Sequence, residues 1–265
     1  MSNAILDIAK TSYRLSRTIL RSGVDMLYPK TCSLCAEEIE GIEASHHSLI
    51  CSDCRLRLLA HEERDLCKRC GIPVGPHLDV SRGCAYCRND RFSFTRAVSL
   101  GVYRGLLKSV CQRSKKNYGE PFSSSLAQLL YEVRREFFKV ERFDIVVPVP
   151  HRWSERFGRR HIPAETIART LASCLNVSVG ISILSKVRKT PAQSTLPPSK
   201  RRRNLSKAFQ TSKPKKVRGK SILLVDDVLT TGATAHETAK TLLAAKASRV
   251  EVAVLARGIG TIGQA

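Results

Sequence analysis

No uninterrupted apolar run among the 265 residues approaches the ~20 that a bilayer-spanning helix needs, which excludes a helical membrane protein. A signal peptide is missing too. Lys10, Arg14, Arg17 and Arg21 are spread through the first thirty positions, with no compact apolar core and cleavage site, so the expected location is cytoplasmic. Acidic residues are scarce, 23 against 45 Lys and Arg, for a formal net charge of +22. The segment 181–220 has no acid at all and holds thirteen Lys and Arg residues. Such a balance favours phosphorylated or nucleic-acid partners. Aromatic residues are nearly absent where the charge is densest. Only Phe209 lies between Lys200 and Lys220, so a stacking platform for bases would have to come from elsewhere. The loop at 230–234 is followed by no Gly-Lys-Ser/Thr and lacks the three-glycine fingerprint, so Walker-type and dinucleotide-binding folds drop in rank.

What is present suits one α/β domain with a small appended module. The apolar fraction of 42% is ordinary for a globular chain. Residues 4–27 carry Ile5, Ile8, Leu15, Ile19, Val24 and Leu27 at helical spacing with basic residues between, so 1–30 is expected to be a basic amphipathic helix. Its plain role is packing on the rest of the chain; a membrane-surface anchor would want Trp or Phe on the apolar face, and none is there.

Eight of the ten cysteines form four Cys-x-x-Cys pairs, Cys32/Cys35, Cys51/Cys54, Cys67/Cys70 and Cys84/Cys87, separated by 15, 12 and 13 residues. Such a turn lets two thiolates converge on one tetrahedral ion, and the intervals are those of zinc ribbons. Eight ligands make two closed Cys₄ sites, hence structural Zn²⁺, over residues 31–91. Sequential pairing is the default and interleaving stays open. A disulfide framework would need an oxidising compartment. His46, His47, His61 and His77 are surplus to the metal count, and Cys111 and Cys174 sit in apolar surroundings as buried thiols.

From Phe92 to residue 265 the pattern turns to strands alternating with helices. Ala97–Tyr103 alternates like a strand, Pro121–Val140 has helical period, and Phe143–Val147 reads as a buried strand followed by the rigid turn Pro148-Val149-Pro150-His151. Residues 162–175 read as the next helix. Ile222–Val225 is a short apolar run, as for a strand buried on both faces of a parallel sheet, and Asp226 and Asp227 end it. Val228 leads into Thr230-Thr231-Gly232-Ala233-Thr234, a hydroxyl-rich loop opening a helix that reads as Ala235–Ala245. Unpaired N–H groups and the positive dipole end make a helix N-terminus a phosphate cradle.

Four apolar residues, an acidic pair and Thr-Thr-Gly-Ala-Thr resemble the phosphoribosyl-diphosphate (PRPP) motif of type I phosphoribosyltransferases. The resemblance implies that Asp226 and Asp227, the catalytic pair, hold the ribose hydroxyls and Mg²⁺, that Thr230 to Thr234 hold the 5′-phosphate, and that Val228 lies among the PRPP-binding residues. The four cysteine pairs, Tyr103-Arg104-Gly105, Lys115, Val147 to Pro150, Thr190 with Gln193 and Leu196, Arg201 with Asn204, and Ala208-Phe209 stand in the order of the ComF family, the competence-associated phosphoribosyltransferase homologues. That resemblance covers about Cys32 to Arg257. It implies a type I phosphoribosyltransferase-like parallel sheet flanked by helices behind a double zinc ribbon, and a glycosyltransferase-class reaction. Pro148 to His151 would be the diphosphate turn, Lys115, Arg152, Arg188 and Arg201 its cations, and Arg188 to Arg201 a loop closing over PRPP. It also implies involvement in DNA uptake, with single-stranded DNA and a competence helicase as partners; a non-catalytic DNA-binding adaptor is the alternative. Where the family shows Arg-Gly-Phe-Asn-Gln-Ala, this chain has Arg159-Arg160-His161-Ile162-Pro163-Ala164, so a polar pair becomes Ile162-Pro163.

Overall fold

The computed structural model describes residues 30–39, 49–59, 65–75, 78–140, 142–151, 161–191 and 203–259. The expectations for the helix over 4–27, for His46, His47, His61, His77, Arg152, Arg159, Arg160, Gln193, Leu196 and Arg201 lie outside these residues. In chain order the elements are α1 (Ser52–Leu59), β1 (Ala97–Val102), α2 (Gly105–Arg113), α3 (Glu120–Val133), α4 (Arg135–Val140), β2 (Ile145–Pro148), α5 (Pro163–Leu175), β3 (Ser178–Val179), β4 (Leu184–Lys186), β5 (Phe209–Thr211), β6 (Ser221–Leu229), α6 (Ala233–Ala244) and β7 (Arg249–Arg257).

Five strands form one parallel sheet in the order β1-β7-β6-β2-β3. β1, β2 and residues 222–225 of β6 are buried along their length, as parallel strands covered on both faces must be. Alternation along β6 divides the core. Leu223 and Val225 pack with Leu107 and Val110 of α2, Leu126 and Leu130 of α3, and Ile167 and Leu171 of α5. Ile222 and Leu224 pack with Ala235, Ala239 and Leu242 of α6 on the other face. The faces of α3 and α5 follow helical period; α5 starts with Pro163 at its first turn, where a missing N–H costs nothing, and stops at Asn176 in the left-handed conformation (φ 54°).

The zinc-ribbon segments dock on this sheet by different routes. Cys32, Ile39, Ile50, Cys54 and Leu58 join the core layer of α2 and α3. Ser33 Oγ lies 2.8 Å from Ser125 Oγ, Arg113 donates to the Leu34 carbonyl at 3.2 Å, and Arg55 pairs with Glu132 at 2.6 Å. The second ribbon has a cluster of its own, Cys67, Cys70, Ile72, Val74, Cys84 and Cys87, and covers the open edge at β1. Ala97 N–H donates to the Lys68 carbonyl at 3.1 Å and Ser99 Oγ to the Gly71 carbonyl at 2.5 Å. An exposed strand edge is a liability, and this contact removes it.

Several boundaries differ from the sequence expectations. The helix expected over 121–140 is two, α3 and α4, broken at Arg134 (φ −108°, ψ 31°), whose guanidinium turns to the Ser99 and Leu100 carbonyls at 3.2 and 3.3 Å. The strand expected over 143–147 runs instead from Ile145 to Pro148, and α6 begins two residues earlier than expected, at Ala233. The acids do not end β6: its ladder with β7 continues through Asp226↔Val254 and Val228↔Ala256 to Leu229↔Arg257. Cys111 is buried as expected, whereas Cys174 is partly exposed on the last turn of α5.

Candidate sugar-phosphate site and zinc centres

Cys32, Cys35, Cys51 and Cys54 converge in one group and Cys67, Cys70, Cys84 and Cys87 in another, so the pairing is sequential. Sulfur separations are 3.6 Å for Cys35–Cys51, 3.7 Å for Cys67–Cys87, 3.6 Å for Cys70–Cys84 and 3.8 Å for Cys84–Cys87. A tetrahedron with Zn–S bonds of about 2.3 Å has edges of about 3.8 Å, so the thiolates fit zinc, and they are too far apart for disulfides. Backbone N–H groups of Leu34 and Cys51 point at Cys32 Sγ (3.4 and 3.3 Å), as in a site that orients and stabilises a thiolate ligand. Both centres are structural Cys₄ sites.

At the carboxyl end of β6 the chain builds a different kind of site. Successive strand side chains alternate, so Asp227 leaves on the α2 and α3 side and Asp226 on the α6 side. Lys115, in the turn after α2, meets Asp227 Oδ2 at 2.8 Å. Burial works against charge at Lys115, but the Asp227 carboxylate prevails, with lesser help from Tyr103 and Asp226, and its pKa is raised. Burial, and after it the charge on Asp227, lifts the Asp226 carboxyl well above its ordinary value. Beneath them, burial and then the Asp227 charge push the Cys111 thiol up to about 12, so it is a packing group and not a nucleophile.

Asp226, Val228 and residues 229–235 line one shallow depression over the start of α6. Gly232 caps the helix at φ 74°, and Ala233 N–H turns back to Thr231 Oγ1 at 3.4 Å. Only glycine fits here twice over: the left-handed backbone disfavours a side chain, and a Cβ would lie 2.7 Å from Phe92 Cε1. Thr230 is exposed and Thr231 and Thr234 half-exposed, leaving their hydroxyls near the first N–H groups of α6. The turn at Pro148 to His151 lies next to the acids, because β2 neighbours β6 and Val149 N–H donates to the Val225 carbonyl at 2.8 Å.

A family model described as the phosphoribosyl transferase domain matches residues 163–263, and one described as the double zinc ribbon domain matches residues 23–89. The DNA utilization protein YhgH of Salmonella typhi is 31% identical over 233 residues, which is 86% of this chain and 97% of that protein. The chain belongs to the ComF family. Two further relatives, the Haemophilus influenzae competence protein F and the Bacillus subtilis competence protein ComFC, are each 27% identical, over 78% and 73% of this chain and 90% and 78% of theirs. Among solved structures, the glutamine phosphoribosylpyrophosphate amidotransferase of B. subtilis complexed with ADP and GMP gives a TM-score of 0.32 at 20% identity over 53% of this chain and 26% of its own.

Within this ComF sheet, Asp226, Asp227, Val228, the 230–234 loop, Lys115 and the 148–151 turn meet at one edge. Arg188 does not extend that cluster in this state. Its guanidinium donates to the Asn204 and Ser206 carbonyls, both at 2.7 Å, and so ties the base of the antiparallel β4–β5 ribbon from which the expected closing loop departs. Ile162 and Pro163, in place of the polar pair, start α5, while the buried His161 beside them contacts Ser123 Oγ (3.0 Å) and Thr166 Oγ1 (3.1 Å). Burial lowers the His161 pKa. This turn therefore serves packing.

Two residues at the site escaped sequence reasoning. Arg257, only 3% exposed at the end of β7, donates to the Cys70 carbonyl at 3.1 Å, the Leu229 carbonyl at 2.9 Å, and the Thr230 and Gly258 carbonyls. Phe92, stacked on Phe94 with centroids 4.5 Å apart, presses on Gly232. The signal for Arg257 was a lone cation closing a strand that is apolar from Val252 onward. Phe92 carried none.

Proposed function

We propose that this ComF protein binds PRPP at the carboxyl edge of its sheet and transfers the phosphoribosyl group to an acceptor, in association with DNA uptake, as the names of the competence relatives suggest. The observation that carries this reading is the depression at the carboxyl end of β6, where Asp226 joins a glycine-hinged threonine loop on a helix N-terminus beside the β2 turn, with Asp227 next to it on the opposite side of the strand, held by Lys115. An open parallel sheet binds ligands at this edge. Asp226 and Asp227 take the ribose 2′- and 3′-hydroxyls and residues 230–234 the 5′-phosphate. The turn at 148–151, with Lys115, Arg152, Arg188 and Arg201, takes the diphosphate. In the reaction the C1–oxygen bond to diphosphate breaks as the acceptor's bond to C1 forms, and negative charge leaves with the diphosphate. Catalysis is then positioning plus stabilisation of that charge. The two carboxylates are hard oxygen donors of the kind Mg²⁺ prefers; Asp226 and Asp227 would hold the ion, which would supply positive charge to stabilise the leaving diphosphate. Lys115 holds Asp227 until ligand arrives, and its pull toward the diphosphate frees that carboxylate for ribose. The test is diphosphate release from PRPP and Mg²⁺ with a panel of nucleobases. Release by the wild type that disappears in Asp226→Asn with Asp227→Asn supports transfer, and no release with any acceptor reduces the proposal to binding.

A second reading, a DNA-binding adaptor, is favoured by one observation. Arg169, Lys213, Lys215, Lys216 and Lys220 line a groove of about 430 Å³ at the amino ends of β2 and β6. It lies about 20 Å along β6 from the acids, at 3.3 Å per residue. One carboxylate is close by, Asp144, 3.5 Å from Lys220. The walls are Ile145, Val179, Ile181 and Ile183 with no aromatic ring, so the groove offers sequence-independent contacts to backbone phosphates and no stacking platform for bases.

A further inference from the structure

We infer that Arg257 is a positioning residue through which the second zinc centre holds the phosphate loop in its binding conformation; the inference rests on the sugar-phosphate reading of that loop. A buried guanidinium is costly unless its donors are filled, and among the described residues Arg257 has no carboxylate partner. It is satisfied by main-chain carbonyls drawn from two lobes. Nε reaches the carbonyl of Cys70, itself a zinc ligand, and Nη1 reaches those of Leu229 and Thr230, where β6 becomes the phosphate loop. Moving either partner away leaves a buried charge half-paired, so knuckle and loop are held as one body.

The knuckle is itself seated firmly. The carbonyls of Lys68, Cys70 and Gly71 all accept from the sheet, from Ala97 N–H, Arg257 and Ser99 Oγ. Gly71 sits at φ 70°, with the position of a Cβ only 3.1 Å from the Ala97 carbonyl, so this close seating requires glycine. A second strut enters from the other side. Phe92 leaves the ribbon and packs against Gly232, with the Arg69 guanidinium 5.9 Å from its ring centroid. Arg69 in turn donates to the carbonyls of Arg82, Cys87, Arg88 and Asp90, which binds the two halves of the zinc site together. The first zinc centre has another address. Its described contacts run to Ser125, Arg113 and Glu132 on α2 and α3.

The test compares full-length, zinc-loaded wild type with Arg257→Lys, Cys87→Ser in the second centre and Cys51→Ser in the first. Zinc is counted by mass spectrometry, hydrogen exchange is followed in peptides spanning 229–235, and binding of ribose 5-phosphate is titrated. Loss of one or two charge-assisted bonds should speed exchange in 229–235 by about 10- to 100-fold in Arg257→Lys and Cys87→Ser. Residues 222–225 should stay protected, Cys51→Ser should leave the loop at the wild-type rate, and ribose 5-phosphate affinity should fall at least tenfold in the first two variants only. Wild-type loop exchange in Arg257→Lys, or equal acceleration in Cys51→Ser and Cys87→Ser, overturns the inference. Should Arg257→Lys fail to fold, the two cysteine variants decide by the same comparison. If loop exchange responds as expected while the wild type itself binds no ribose 5-phosphate, the clamp stands and the ligand assignment falls.

Discussion

Gly232→Ala puts a single methyl group where backbone conformation and packing both object, and the two costs can be separated. At φ 74° an alanine sits in the left-handed region, which costs about 1–2 kcal/mol. Its Cβ would lie 2.7 Å from Phe92 Cε1, and the ring cannot yield freely because Phe94 stacks behind it at 4.5 Å with an interplanar angle of 15°. Overpacking of this kind costs about 1–3 kcal/mol. The variant should therefore lose about 3 kcal/mol, or about 6–12 °C in Tm for a chain of this size. Gly232→Ala with Phe92→Leu should recover the packing part and keep the backbone part. Urea unfolding of the three proteins, followed by circular dichroism, makes the comparison. Loss of less than about 0.5 kcal/mol in the single variant, or no difference between single and double, would refute the account of this loop.

Asp226→Asn should stabilise the ligand-free protein at neutral pH. The folded carboxyl has a raised pKa, so the unfolded state ionises first and the wild type loses stability as pH climbs from the ordinary carboxylate value toward the folded one; thermal melts should converge near pH 3.5 and part above it, and parallel curves would contradict this. Stripping zinc with a strong chelator should release two ions per chain and unfold the region around the Cys₄ groups, since structural zinc contributes about 10–16 kcal/mol; retention of its exchange protection would show that the core stands without metal. Replacing Lys213, Lys215 and Lys216 by Glu should weaken oligothymidine binding and flatten its salt dependence by about 2 in the log–log slope, at about 0.7 per phosphate contact. An unchanged slope would remove the groove from the DNA reading.

The parallel sheet was legible because buried strands leave a plain trace: Ile222 to Val225 has no polar residue, and β7 is apolar from Val252 to Ala256. The zinc centres were legible because a Cys-x-x-Cys turn has few other uses, although the sequential pairing needed coordinates. What escaped was whatever depends on a distant partner. β6 runs past its acids because β7 continues the ladder beside them, and nothing within 221–229 announces that. The β4–β5 ribbon has three residues a side, too few for a period to register. Arg134 breaks a helix to reach the carbonyls of β1, and Lys115 meets Asp227 across 112 positions of chain. The motif drew attention to residues 230–234, but the acceptors that tie Arg257 to their start, the Cys70 and Leu229 carbonyls, are main-chain groups, and the lone cation at the end of β7 was the only trace of them in the sequence.

The most direct measurement is a calorimetric titration of the zinc-loaded protein with PRPP and Mg²⁺, repeated on Asp226→Asn with Asp227→Asn. One site per chain, lost in the double variant with no fall in its Tm, is the predicted result. No heat from the wild type at millimolar PRPP, or equal binding by both proteins, would contradict the assignment of this sheet edge to a sugar phosphate.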